Sequence, residues 1–186
     1  MIIKTDLSEL QKKYHAIVAD PPWSYRNKNT GGNMSSGSQA KYLTMTLDEI
    51  KALPVETAAQ HDAACFLWVT VPILPWGFDV LDAWGFKYKT AIFWHKAGRL
   101  GMGFWFRGQV EVCLLGIRGN VTAFRCQREN IIIEKPNRHS TKPEQFWNLV
   151  ADALPFNYVN RIELFSRHER PGWDAWGLDL MADKSV

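Results

Sequence analysis

Several absences narrow what this chain can do. No G-x-G-x-x-G follows a strand-like run, so the ordinary dinucleotide fingerprint is missing, and there is no Walker-type phosphate loop. Cysteine is scarce: Cys65, Cys113 and Cys126 form no C-x-x-C pair. Two of them sit in strand-like apolar runs, which reads as reduced core thiols in a cytosolic setting. The five histidines are scattered, without the spacing of a metal site or a partner for a nucleophilic triad, so no metal is expected. No apolar run approaches membrane-spanning length, and the first residues lack the apolar segment of a signal peptide. These features predict a soluble, intracellular, cytoplasmic protein without a membrane partner. Neither sign of charge dominates. Lys and Arg total 22 against 19 Asp and Glu, a net charge of +3, and the pI is about 8.8. That mild basicity is compatible with nucleic acid without specifying it.

Aromatic residues are what the chain has in excess. Nine Trp and an aromatic fraction of 13% suggest stacking surfaces or a pocket for a base. The 186 residues suit a single domain, 1–186, with a full core. Strands are expected at Met1–Thr5, His15–Ala19, Ala64–Val71, Phe86–His95, Gln109–Gly116, Ile131–Glu134 and Arg161–Ser166, the last before a polar tail from Arg167. Ser8–Lys13 reads as a short helix or turn. Thr46 and Glu49 form a capping box that opens a helix running through Ala52 and stopped at Pro54; a second short helix covers Val55–His61. Further helices are predicted at Leu74–Trp84 and, behind a second capping box of Thr141 and Glu144, as far as Leu154. Strands alternating with helices predict a three-layer α/β sandwich with a mostly parallel sheet.

The stretch Asp20-Pro21-Pro22-Trp23 stands at the end of the apolar run Ala16–Ala19. In an open α/β sheet, ligands bind beyond the strand ends. A carboxylate, a stiffened backbone carbonyl and an indole arriving there together suit a planar base with an exocyclic amine: two oxygens accept its two N–H groups while the ring stacks. The structural alternative is a Pro-stiffened turn with a core Trp. The following segment, 24–41, is a long Gly-, Ser- and Asn-rich loop whose only charges are Arg26, Lys28 and Lys41; phosphate contact and a solvated loop both fit it. Residues 97–108 form a second Gly-rich loop with Phe104, Trp105, Phe106 and Arg107, whose aromatics are expected to fold back on the core rather than to cover a ligand. Arg107 and Glu111 are expected to be an ordinary surface pair.

Asp20-Pro21-Pro22-Trp23, then Arg138-His139-Ser140-Thr141-Lys142-Pro143-Glu144, then Ile162-Glu163-Leu164-Phe165-Ser166-Arg167, then Pro171-Gly172-Trp173 and Trp176-Gly177 together resemble the MT-A70 family of S-adenosylmethionine-dependent N6-adenine methyltransferases. The resemblance runs from about residue 2 to 177. It implies a Rossmann-like methyltransferase fold in permuted order, with the catalytic motif ahead of the cofactor motif, and S-adenosyl-L-methionine as cofactor. It also implies that Asp20 and the Pro21 carbonyl hold the adenine amine, Pro22 stiffens the turn and Trp23 borders the base. Cofactor contacts are implied for Asp6, Leu7, Asp20, Glu134, Arg138, His139, Ser140, Thr141, Glu163, His168, Glu169 and Arg170. Substrate contacts are expected from Tyr25, Arg26, Lys28, Lys41 and Arg107. Where relatives often have Asn after Trp-Gly, this chain has Leu178-Asp179.

The implied reaction needs neither a metal nor a covalent intermediate. Accepting both N–H groups frees the amine lone pair for methyl transfer, and alignment with electrostatic stabilisation supplies the rate. A target in a duplex must first be flipped out. DNA is expected as the substrate, since the chain lacks the extensions of larger RNA-modifying relatives. RNA, or a catalytically silent nucleic-acid-binding partner subunit, is the alternative; the intact Asp20 motif argues against the silent reading. A homodimer or a partner subunit is compatible with the sequence.

Overall fold

The computed structural model describes residues 2–3, 6–24, 44–98, 100–101, 105–122, 127–136 and 141–177. In chain order they form β1 (Ile2–Ile3), β2 (Tyr14–Ala19), α1 (Leu47–Lys51), α2 (Val55–Ala58), β3 (Ala59–Thr70), α3 (Leu74–Ala83), β4 (Lys87–His95), β5 (Val110–Arg118), β6 (Ile131–Ile133), α4 (Glu144–Ala153), β7 (Arg161–Leu164) and β8 (Asp174–Trp176). All eight strands join one sheet in the order β1-β8-β7-β2-β3-β5-β4-β6. Every neighbouring pair is parallel except the two made by β5, which runs antiparallel to β3 and β4. No described helix is long and apolar enough to cross a membrane.

Strands covered on both faces must be apolar throughout rather than alternating. The centre of the sheet obeys this: Ala16–Ala19 and Ala63–Val69 are entirely buried. One face packs Ile17, Leu67 and Val69 against Ile50 of α1, Val55 of α2 and Val80 and Leu81 of α3. The opposite face packs Val18, Phe66, Trp68 and Trp94 against Phe146, Trp147 and Val150 of α4. The result is the three-layer α/β arrangement that the alternation of elements predicts. Gly77 sets how closely α3 approaches the sheet, because a Cβ there would come within 2.7 Å of Leu114 Cδ1. Gly85, at φ 77°, takes the left-handed turn that ends the helix.

The first capping box forms as expected: the Thr46 hydroxyl accepts from Glu49 N at 3.3 Å, and Glu49 Oε2 accepts from Thr46 N at 2.7 Å. The second does not. Pro143 occupies the cap position of α4 without a side-chain cap. The free amides are taken instead by Glu134, whose two carboxylate oxygens accept from Glu144 N at 3.0 Å and Gln145 N at 3.1 Å.

The strands differ most from expectation at β3 and in the tail. β3 begins at Ala59 rather than Ala64, and the helix before it stops at Ala58. Ala59 pairs with Tyr14 on one side and Ala63 with Arg118 on the other, so ladder hydrogen bonds win over a weak local helical preference. In the expected tail, Asp174–Trp176 is a further strand lying between β7 and β1. Its Asp174 carboxylate is satisfied by Lys12 Nζ at 2.7 Å and the Tyr14 hydroxyl at 3.0 Å.

Candidate active site at the switch point of the sheet

From β2 the chain moves to β3 on one side, and from β7 to β8 on the other. β2 and β7 are neighbours, so the crevice beyond their carboxyl ends is a topological switch point, where α/β sheets bind ligands. Asp20 follows β2 directly. Phe165, in the left-handed region at φ 62°, turns the chain out of β7. Thr70 ends β3, and because β5 is antiparallel its first residues, Val110 and Glu111, reach the same edge.

Alternation along β2 sends Ala16, Val18 and Asp20 toward the α4 face. There Asp20 Oδ2 lies 2.7 Å from Lys142 Nζ, which also lies 3.1 Å from Glu111 Oε2. Lys96 closes the row by donating to the other Glu111 oxygen. The Lys142 and Glu111 side chains are 12% and 16% exposed; that of Asp20 is 36% exposed, its outer side open to the crevice. The Lys142 ammonium also sits 5.1 Å from the centre of the Trp68 ring. Desolvation pushes the Asp20 carboxyl above its usual range; Lys142 opposes this and Glu111 adds to it. Burial alone would pull Lys142 down, but Asp20 and Glu111 outweigh it and hold the ammonium charged. Burial likewise works against the Glu111 carboxylate, and Lys142 and Lys96 outweigh it, holding Glu111 below its usual range. The four groups form a row of alternating charge.

The two prolines lie in a turn stapled by the backbone. Trp23 N donates to the Pro21 carbonyl at 2.8 Å, Met45 N to the Pro22 carbonyl at 2.8 Å, and Ser24 N to the Met45 carbonyl at 2.9 Å. The Pro21 carbonyl keeps a second lone pair. Trp23 is buried on the α1 side, and its indole N–H donates to the Trp68 carbonyl at 3.1 Å. It anchors the turn and offers little ring face in this structure.

Glu163 registers beside Val18 on the same face as Asp20. Desolvation raises its pKa from the usual 4.5 to about 7, with Asp20 adding and Ser166, Arg170 and Lys142 opposing. The folded chain therefore keeps a proton that the unfolded chain loses. The stability from this group is fully present below about pH 4.5 and lost as pH rises through about 7. Glu163→Gln is expected to flatten the decline of the urea midpoint over that interval, leaving the slope due to Asp20. A midpoint that falls as steeply as in the wild type would show Glu163 ionised in the fold.

The other expected contacts fall into separate groups. Asp6 is exposed and caps the turn at Leu7–Glu9 by accepting from Ser8 N at 2.9 Å, while the Leu7 side chain is core. Glu134 is held at the start of α4, its carbonyl accepting from Trp94 Nε1 at 2.8 Å. Thr141 is half-buried beside Lys142, and His168 is exposed beyond β7. Glu169 and Arg170 are not brought to Asp20. They line a pocket of about 600 Å³ with Lys12, Arg161 and Asp174, which stand near the amino ends of the strands, and Arg170 lies over Trp147 at 4.1 Å. Arg107 is exposed in the loop between β4 and β5. Tyr25, Arg26, Lys28, Lys41, Arg138, His139 and Ser140 lie outside the described residues.

Two expectations are overturned. Glu111 pairs with Lys96 and Lys142, not with Arg107, because it points into the crevice from the apolar run Val110–Leu115 of β5. Trp105 and Phe106 do not fold back on the core: they are 94% and 90% exposed. Lys142, Glu111 and Lys96 were absent from the sequence-based site. A lone carboxylate inside Val110-Glu111-Val112-Cys113-Leu114 was the available signal. The Trp68 indole N–H and the Thr70 hydroxyl are buried without a hydrogen-bond partner among the described residues, an unused polar capacity close to the row. No cluster of metal ligands occurs among the described residues.

Comparison with known proteins identifies the family. The MT-A70 family pattern matches residues 14–179. The type II methyltransferase M.MunI of Mycoplasma sp is 30% identical over 195 residues, covering 94% of this chain and 81% of that protein. The N(6)-adenosine-methyltransferase catalytic subunit METTL3 of Homo sapiens is 28% identical over 178 residues, covering 90% of this chain but 28% of METTL3. The N(6)-adenosine-methyltransferase MT-A70-like protein of Drosophila melanogaster is 30% identical, with 27% of its length covered. The family match, spanning the strand that carries Asp20 and the strands beyond the switch point, shows that this chain belongs to the MT-A70 family of S-adenosylmethionine-dependent adenine N6-methyltransferases.

Proposed function

We propose that this protein methylates the N6 amine of adenine in DNA and that Asp20 holds the amine. The observation that carries the reading is the Asp20 carboxylate at the switch point, one oxygen fixed by Lys142 and its outer side open to the crevice. S-adenosylmethionine supplies, when bound, an electrophilic methyl group on a sulfonium. The donor set fits its zwitterionic methionine end: Asp20 and Lys142 offer opposite charges side by side, and the unpartnered Thr70 hydroxyl stands close by. His139, Ser140 and Thr141 remain the proposed holders of the carboxylate, with Asp6 and Leu7 toward the adenine end. The chain visits Asp20 before β7 and β8, which supports a permuted order of catalytic and cofactor halves. One continuous sheet supports reading 1–186 as one catalytic domain. Buried, unpaired Cys65 and Cys113 support a reducing, cytoplasmic setting.

The adenine amine is a poor nucleophile because its lone pair is delocalised into the ring. In this reading the Asp20 carboxylate accepts one N–H, and the Pro21 carbonyl, which already accepts from Trp23 N, takes the other with its second lone pair. Holding both hydrogens favours a pyramidal nitrogen with its lone pair free. Lys142 keeps Asp20 oriented without engaging both oxygens, so the acceptor is in place before substrate arrives.

DNA is favoured because M.MunI, a type II methyltransferase, is matched over most of its own length. The relatives named for N(6)-adenosine give RNA as the second reading. Transfer of a labelled methyl group to duplex DNA, single-stranded DNA and RNA in parallel, followed by digestion to nucleosides, decides between them. N6-methyldeoxyadenosine is the expected product. N6-methyladenosine from RNA alone would replace DNA by RNA. No product despite calorimetric binding of the cofactor would point to a missing partner or a different acceptor, and no cofactor binding either would favour the silent-partner reading.

A further inference from the structure

We propose that Trp105 and Phe106 form a stacking surface for unpaired bases flanking the target adenine, with Arg107 beside them for the phosphate backbone. The inference rests on the nucleic-acid reading above and assigns it a binding surface outside the catalytic row. β4 ends and β5 begins at the crevice edge, so the loop between them leaves from the side of the sheet that carries Asp20. Its stem is pinned: Lys96 N donates to the Gln109 carbonyl at 2.7 Å, and Gly101 N to the Gly108 carbonyl at 3.0 Å. The two arms approach so closely that a Cβ on Gly101 would lie 2.4 Å from the Gly108 carbonyl oxygen. Beyond this narrow ribbon of paired Lys96–Gln109 and Gly101–Gly108 backbone, two adjacent rings stand 94% and 90% exposed, with Leu100 exposed in the same loop.

Such rings are ordinarily buried, so adjacent exposed ones mark an interaction site. Two aromatic side chains carry roughly 300–500 Å² between them, short of the roughly 800 Å² per partner that a stable protein interface covers. Bases need less area, since each offers a flat face to one ring. The root of the ribbon is also part of the catalytic row, through Lys96 on Glu111. A strand whose adenine reached Asp20 would lay its neighbouring bases toward this tip, and flipping leaves those neighbours short of a stacking partner. The cation at Arg107 complements the phosphates.

The test uses fluorescein-labelled short single-stranded DNA and RNA at fixed salt, read by anisotropy, alongside methyl-transfer kinetics. Trp105→Ala and Phe106→Ala are each expected to raise Kd and KM between about fivefold and a hundredfold, the range of base–aromatic stacking. kcat at saturating substrate and calorimetric cofactor binding should be unchanged. Trp105→Phe should recover most of the affinity, because a ring is restored. If both alanine variants bind like the wild type, the proposal is wrong. A dimer in sedimentation velocity that the alanine variants turn into a monomer at unchanged Kd would also overturn it, assigning the tip to a second copy. A wild-type protein that binds no polynucleotide defeats the nucleic-acid reading itself, before any variant is made.

Discussion

Asp20→Ala is expected to lower methyl transfer by at least about a thousandfold while the protein stays folded. The fold should survive because the carboxylate faces the crevice at the end of β2, not the core layers, and because Lys142 keeps Glu111 as a partner when Asp20 is gone. Transfer should collapse because the proposed acceptor of one amine hydrogen is gone from beside the stapled Pro21–Pro22 turn. Asp20→Asn sharpens the test. It preserves shape and one carbonyl oxygen, but it replaces a charge that accepts from Lys142 and the amine with a group that can turn N–H donors toward both. Single-turnover rates with cofactor binding followed by calorimetry separate chemistry from binding. A kcat within a few-fold of wild type for either variant would remove Asp20 from the mechanism.

Lys142→Met is expected to damage both stability and activity. The ammonium lies between two carboxylates, and its loss leaves Asp20 and Glu111 facing each other with Lys96 on Glu111 alone. Removing one partner of a buried ion pair costs about 3–5 kcal/mol. The effect here should fall at or below the lower end of that range, since Asp20 is 36% exposed and Glu111 retains Lys96. Urea unfolding measures it. The activity loss has a separate cause: without the cation, Asp20 is driven toward its neutral form, which presents a donor where an acceptor is needed. Adding Glu111→Gln should restore part of the stability, because the second buried charge goes with it, and little of the activity. If the double variant is no more stable than Lys142→Met, the row is not energetically coupled.

The parts of the site legible in the sequence are those encoded locally. Asp20-Pro21-Pro22-Trp23 follows an apolar run long enough to be a strand, and Thr46 with Glu49 announces α1, because each signal fits within a few residues. β8 was not legible: three residues carry no periodicity, and Asp174 looks like a tail residue until Lys12 and Tyr14, far away in sequence, satisfy it. Lys142 was not legible for a related reason: the carboxylates it pairs with, Asp20 and Glu111, stand at the end of β2 and on β5, far away in sequence. The exposure of Trp105 contradicts the usual fate of an indole, and no local signal in the loop announces it.

The sheet order also constrains how the molecule can be made. β1 is synthesised before the other described strands, yet its neighbour among them is β8, the last of these in the chain. β2 likewise awaits β7 along one whole edge. Until β7 has been synthesised, the nascent chain holds β2, β3, β4 and β5 with an apolar strand edge open to other chains. Pairings this distant in sequence close slowly. The interval between translation of β2 and arrival of β7 is therefore when aggregation threatens most and when a chaperone would matter most.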